Sequence, residues 1–290
     1  MSPPRPLRRA GPSPRRAAAP RRPAPEPGAR RGGQPHPLGG DRVEGRRAVR
    51  ELLAAGRRPV RRLLLAEGLE PSAQLDEIEA LAHQRRVRVE TVGRRRLEAE
   101  AFTEAPQGVL AMAAPIEPVD LEALCDPAAG HAFLVVVAGV SDPRNLGALL
   151  RSAECAGVTG VVLARHRAAH LSPAAVKVAA GAVEHLSFSV VGGIPAALST
   201  LSDLGVWTLG LAGEAPRSLF EVSLGEGPVA VVVGGEERGL APLVRKRCDL
   251  VAAIPHGGVL PSLNVAAATA VACFEVSRQR ASRRHDAVTP

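Results

Sequence analysis

The chain has 290 residues and is 46% hydrophobic, which is enough for two cored units, and its formal net charge is +8. All of that charge sits in the first 38 residues, which hold nine Arg and one Glu, so the remainder balances to zero and total charge does not argue for nucleic-acid binding by the folded body. With five Phe, one Trp and no Tyr, a broad aromatic platform for stacked bases is disfavoured, and four scattered Cys without a C-x-x-C exclude a zinc knuckle and point to reduced thiols.

Residues 1–40 form a Pro/Arg/Ala segment with too little apolar surface to fold, expected to be a disordered tail. A solvated extension, an electrostatic tether to RNA phosphates and an Arg-rich transit peptide are the three readings, the prolines opposing the last. Residues 41–115 read as a small α/β unit. Gly45 to Ala55 has helical spacing with Gly56 as a stop, and Val60 to Ala66 is a strand. Pro71 to Gln84 is a helix capped by Ser72, Val87 to Val92 is a strand, and Val109 to Ala113 closes the unit. The arginine pairs at 46–47, 57–58, 61–62 and 85–86 and the run at 94–96 read mostly as a solvated face, with RNA contact as the rival. Residues 116–131 are linker-like, with one helical turn at Leu121 to Leu124.

From residue 132 to 282 the pattern changes to strands alternating with helices. Phe133 to Val137, Gly160 to Leu163, Ser187 to Val191, Val206 to Leu211, Val229 to Val233 and a strand end at Val251 to Ile254 are the strands. Helices lie at Leu146 to Ala156, within Ser172 to His185, at Pro195 to Ser202, at Ala241 to Arg247 and from about Asn264 to Arg280. This spacing predicts a parallel sheet covered on both faces. Residues 283–290 are expected to be a short C-terminal tail. No apolar run has the roughly 18 residues of a membrane span. His166 and His170 lack an acidic partner, so no metal site is expected.

Open α/β sheets bind ligands at the carboxyl ends of their strands, and three polar clusters fall there. The first holds Asp142, Asn145, Gly147 and Arg151; here Asn145 can cap the following helix. The second is Gly234-Gly235-Glu236-Glu237-Arg238-Gly239, and the third is the loop Ile254 to Asn264. Ser262 and Asn264 are helix-cap types, so capping and ligand contact stand level on that stretch alone. P-loop, dinucleotide and nucleophile-elbow fingerprints are missing.

The segments DPRNLGALLRSA at 142–153, GGEERGL at 234–240 and IPHGGVLPSLNVA at 254–266 resemble, in order, the three motifs of the SpoU RNA 2′-O-methyltransferases. VKVAAGAVEHL at 176–186 resembles the family's middle region. Residues from EGRRAVRELL to PQGVLA look like the small RNA-binding unit of the subgroup acting on a guanosine of 23S rRNA. The resemblance implies a trefoil-knotted SPOUT-type domain, S-adenosyl-L-methionine as donor without a metal, RNA as partner and a homodimer with its active site near the dimer interface; the scattered reduced thiols point to a cytoplasmic location. It also implies that Gly234, Ile254 and Leu263 contact the cofactor through backbone, and that Asn145, Arg151, Glu236, Ser262 and Asn264 form the catalytic set. The family reading makes Arg151 the group that takes the 2′-OH proton. Because a guanidinium is costly to deprotonate at neutral pH, Arg151 as a phosphate clamp that stabilises the alkoxide stays open beside it. Two departures stand out: Glu237 replaces a usual glycine, and Ala105-Pro106 replace a usual polar pair. Methylation of tRNA and a ribosome-assembly protein without catalysis are the rival functions.

Overall fold

The computed structural model describes residues 38–288 apart from 167–169, 226, 237 and 261. The expected tail, except for its last three residues, and the departure at Glu237 lie outside the described residues.

Two sheets organise the chain. The smaller has four strands in the order β1-β4-β2-β3: β1 (Arg42–Glu44), β2 (Val60–Ala66), β3 (Val89–Val92) and β4 (Val109–Ala113). Helices α1 (Arg46–Ala55) and α2 (Ala73–Gln84) pack together on one face. Gly56 ends α1 in the left-handed region, where glycine meets no Cβ penalty. Ser72 Oγ accepts from Leu75 N at the start of α2. Alternation of side chains splits β2, with Leu63 and Leu65 facing α1 and α2, and Leu64 and Ala66 facing α3 (Arg94–Glu100) with Leu97.

Neither β1 nor α3 follows from periodicity. Three residues are too few to show a period, and the arginine run hid a helix whose sole buried side chain is Leu97. The arginine pairs are also less uniform than a solvated face. Arg58 is buried and ion-paired to Glu184 at 2.6 Å, with its side chain only 8% exposed and that of Glu184 2%. Arg58 also donates to the Gly40 carbonyl at 2.7 Å and to the Ala114 carbonyl. Arg85 donates to the carbonyls of Leu53 and Ala54 at the end of α1, where a cation suits the helix dipole.

The larger sheet has six strands in the order β10-β8-β9-β5-β6-β7, all parallel. They are β5 (Phe133–Ala138), β6 (Gly160–Ala164), β7 (Ser187–Val191), β8 (Trp207–Leu211), β9 (Val229–Gly234) and β10 (Leu250–Ala252). Strand β5 has both faces buried, as its unbroken apolar run predicts. Phe133, Val135 and Val137 face the layer of α4 (Pro143–Cys155), α5 (Pro173–Ala179) and α8 (Val265–Val288). Leu134 and Val136 face α6 (Ile194–Asp203) and α7 (Pro242–Arg247). Gly147 lets α4 approach α5, because a Cβ there would stand 2.5 Å from the Ala175 carbonyl oxygen. Helix α8 continues to Val288, through most of the segment read as a C-terminal tail. The apolar core on the α4 side runs without a break into the smaller sheet.

Candidate active site

Sheet register brings the first two polar clusters together. Ala138 at the end of β5 pairs with Gly234 at the end of β9, so the loops that follow leave side by side. They touch closely: a Cβ on Gly235 would lie 2.6 Å from the Gly139 carbonyl oxygen. The second loop then folds back on itself, with Gly239 N–H donating to the Gly235 carbonyl at 2.9 Å. A Cβ on Gly234 would collide with Gly239 at 2.1 Å, so a side chain there would close the turn. The third cluster follows β10, and the chain returns to the same edge of the sheet before entering α8.

These loops enclose a cavity of about 820 Å³ at the carboxyl ends of β8, β9 and β10. That volume suits a nucleoside-sized ligand. Its walls are apolar at Leu211, Val233, Leu240, Ile254 and Ala268, and polar at Glu214, Glu236, Asn145 and Asn264. Gly234, Ile254, Leu263 and Ser262 also line it.

Three of the polar side chains form one chain of hydrogen bonds. Asn264 Nδ2 donates to Asn145 Oδ1 at 3.0 Å, and Asn145 Nδ2 donates to Glu236 Oε1 at 2.5 Å. Asn145 is free for this because Asp142 caps α4, its Oδ1 accepting from Arg144 N at 2.8 Å; the expectation that Asn145 caps that helix is corrected. Asn264 caps its helix and also lines the cavity. Its Oδ1 accepts from Ala266 N at 2.9 Å as the cap of α8, while its amide reaches into the cavity. Glu236 and Ser262 are exposed at the rim.

Arg151 is the exception. It is exposed on the third turn of α4 and lines a different cleft, with Arg47, Glu77, Glu154 and His185. Six residues of helix turn Arg151 about 120° away from Asn145 and about 9 Å along the axis. Within one chain, therefore, four of the five residues expected to be catalytic share the cavity and Arg151 does not. Periodicity alone contains this separation. Cavity residues outside the three sequence clusters include Leu211, Ala212, Gly213, Glu214 and Ala268. The strand-end rule reaches 211–214, since β8 neighbours β9.

Thiol chemistry is disfavoured. Burial pushes Cys248 up to about 11 and Cys273 up to about 12, and Cys155 is also raised, by burial first and then by Glu154. Among the described residues no group of three or more His, Cys, Asp or Glu could hold a metal ion, and no helix is long and apolar enough to cross a membrane.

A parallel sheet with glycine-tight loops and a polar network at its strand ends defines a ligand-binding α/β enzyme class. Sequence comparison supplies the family. The SpoU rRNA methylase family model matches residues 132–274, and a model for RNA 2′-O ribose methyltransferase substrate binding matches 42–119. The chain belongs to the SpoU rRNA methylase family. It is 37% identical over 248 residues to the 23S rRNA (guanosine-2′-O-)-methyltransferase RlmB of Pseudomonas syringae pv. tomato, covering 84% of this chain and 98% of that protein. The protein of the same name from Pseudomonas aeruginosa is 38% identical over 244 residues, 83% and 97% of the two chains. In fold it is similar to the SpoU methyltransferase AviRb of Streptomyces viridochromogenes in complex with AdoMet. There the TM-score is 0.69 at 24% identity, over 83% of this chain and 90% of that one.

Proposed function

We propose that the protein transfers a methyl group from S-adenosyl-L-methionine to a ribose 2′-hydroxyl of RNA, at a guanosine of 23S rRNA. The observation that carries this reading is the Glu236–Asn145–Asn264 network at the mouth of a cavity built from three chain-remote loops. The relatives named for 23S rRNA guanosine methylation align over nearly their whole length, small unit included, which favours rRNA over tRNA. The reading belongs in the cytoplasm, where bacterial rRNA is found.

The cavity's chemistry fits the donor. Gly234, Ile254 and Leu263 line it where backbone contact to the donor is proposed, Leu211, Leu240 and Ala268 offer apolar walls to an adenine, and Glu214 and Glu236 put negative charge near a sulfonium. When bound there, the donor supplies an electrophilic methyl group whose S–C bond breaks as the O–C bond to the ribose forms. Asn145 and Asn264 can donate and accept, so between them they hold the 2′-oxygen and an adjacent phosphate in line with that methyl. Glu236 fixes the Asn145 amide by accepting from it. Ser262 at the rim offers the ribose a further hydroxyl contact. The 2′-OH must also lose its proton as its oxygen gains charge. Arg151 suits that step as a phosphate clamp that stabilises the developing alkoxide, with a phosphate oxygen or water taking the proton.

Arg151 has to come from elsewhere, and a homodimer supplies it. Leu263 just before α8 and Ala267 and Phe274 along it are exposed, as are Val259 and Leu260 in the preceding loop. These exposed apolar residues, starting at the cavity rim, suit a two-fold interface with α8 and the exposed side of α4. Each cavity then receives Arg151 of the partner. The trefoil knot belongs to the same reading: after β10 the chain leaves the α6–α7 face and enters α8 on the opposite face, past the 235–239 turn.

Labelled S-adenosylmethionine with unmodified 23S rRNA, followed by nucleotide-resolution mapping of 2′-O-methylation, tests the reading. One methylated guanosine in 23S rRNA is expected. Incorporation confined to tRNA moves the substrate, and no binding of the donor by calorimetry ends the enzymatic reading.

A further inference from the structure

The small unit has a single aromatic side chain, Phe102, and it is 67% exposed. The surrounding contacts hold the ring in place. Phe102 N–H donates to Glu44 Oε1 at 2.6 Å, and Thr103 N–H donates to Glu44 Oε2 at 3.1 Å, as does the Thr103 hydroxyl. Glu44 is fully buried, so its carboxylate is committed to fixing this turn. Lys177 grips the same turn from α5, Nζ donating to Thr103 Oγ1 at 3.0 Å and to the Ala105 carbonyl at 2.5 Å.

Behind the ring stands a cation. The guanidinium carbon of Arg42 lies 4.3 Å from the ring centroid, and Arg42 Nη1 donates to the Glu100 carbonyl at 2.7 Å. Glu44 and Lys177, which hold the turn, also line a cleft of about 540 Å³ with Arg46, Arg47 and Arg94. A largely exposed ring, on a turn held by two residues that line a cleft with Arg46, Arg47 and Arg94, matches a base and its phosphates better than an apolar protein segment.

We propose that Phe102, backed by Arg42, is a stacking platform for one unpaired base of the RNA substrate, and that the Arg46–Arg47–Arg94–Lys177 cleft holds the neighbouring phosphates. This rests on the RNA reading above and adds residues of the small unit that the polar-pair departure at Ala105-Pro106 had left without a role. One ring suffices here, although the composition disfavours a broad aromatic surface.

Full-length protein is titrated with unmodified 23S rRNA transcript, and calorimetry with S-adenosylmethionine serves as the control. Phe102→Ala is expected to weaken RNA binding about tenfold with the salt slope unchanged. Phe102→Trp keeps affinity, and its indole fluorescence is quenched as RNA binds. Phe102→Leu, which keeps apolar bulk without a π-face, falls with the alanine variant. Arg94→Ala weakens binding and lowers the slope of log affinity against log salt by about 1. Donor binding stays unchanged throughout. Wild-type affinity in Phe102→Ala, or full affinity in Phe102→Leu, overturns the platform while the wild-type enzyme still methylates. A wild-type protein that binds no rRNA overturns the parent reading instead.

Discussion

The cavity at the strand ends and the cleft beside α1 sit at two stations of one helix. Asn145, on the first turn of α4, joins a closed network with Glu236 and Asn264 in a glycine-tight cavity. Arg151, two turns later, stands exposed in a charged cleft shared with Arg47, Glu77 and His185. The first region has the character of a preorganised pocket, with groups held by one another before any ligand arrives. The second is lined by long charged side chains, where Arg50 holds Glu77 and His185 meets Glu51. The contrast teaches that a motif contiguous in sequence need not be one site in space. A helix can divide its chemistry between two surfaces, and a second subunit can reunite it.

Removing Arg151 probes the division most strongly. Arg151→Ala is expected to lower turnover at least about 100-fold, as for loss of a charge-stabilising donor. Melting temperature should hold, because within its own chain the side chain is exposed. Near-normal methyl incorporation would remove it from the mechanism.

The second perturbation concerns what fixes the cleft. Arg58→Met leaves Glu184 buried and unpaired, and should cost about 3–5 kcal/mol in urea unfolding. The double variant Arg58→Met, Glu184→Leu should recover much of that loss. If the single variant is as stable as wild type, the pair does not tie the two sheets together.

The third separates the two jobs of Asn264. Asn264→Ala loses the cap, about 1 kcal/mol, and the amide that reaches Asn145. Asn264→Ser restores a cap oxygen without that amide. Stability should return in Asn264→Ser while turnover stays low; recovery of both would make Asn264 a cap alone.

The smallest effect is a pH dependence at the edge of the cleft. Burial alone would push the Glu51 carboxyl up, but hydrogen bonds from His185 and Arg50 outweigh it and hold the group below the usual carboxylate range. A lowered native value contributes stability that is complete above the unfolded value, about pH 4.3, and is lost as pH falls through the native one. Glu51→Gln should therefore cost about 0.5 kcal/mol or less at pH 7 and make the acid limb of the stability curve shallower. An unchanged acid limb would show that the pair contributes nothing.

The same comparison explains how far the sequence could be read. The parallel sheet was legible because β5 and β9 are unbroken apolar runs between turn residues, and the cavity was legible because strand ends gather loops. The stop at Gly56 and the cap at Ser72 were legible from local chemistry alone. What was hidden depends on pairing. Strand β1 exists only because Arg42–Glu44 lie against Leu110–Met112. Arg58 looked like a solvated arginine until the fold brought up Glu184, distant in sequence. Phe102 carried no periodic signal; only the buried Glu44 beneath it marks it as displayed rather than stranded.

Complementation between subunits tests the divided site most directly. Arg151→Ala and Asn264→Ala chains, each inactive alone, are co-expressed with different tags and the mixed dimers assayed on 23S rRNA. If each cavity takes Arg151 from its partner, purified mixed dimers recover up to about half of wild-type activity, through one intact composite site of the two. No recovery in purified mixed dimers would contradict the account and return Arg151 to its own chain's cavity.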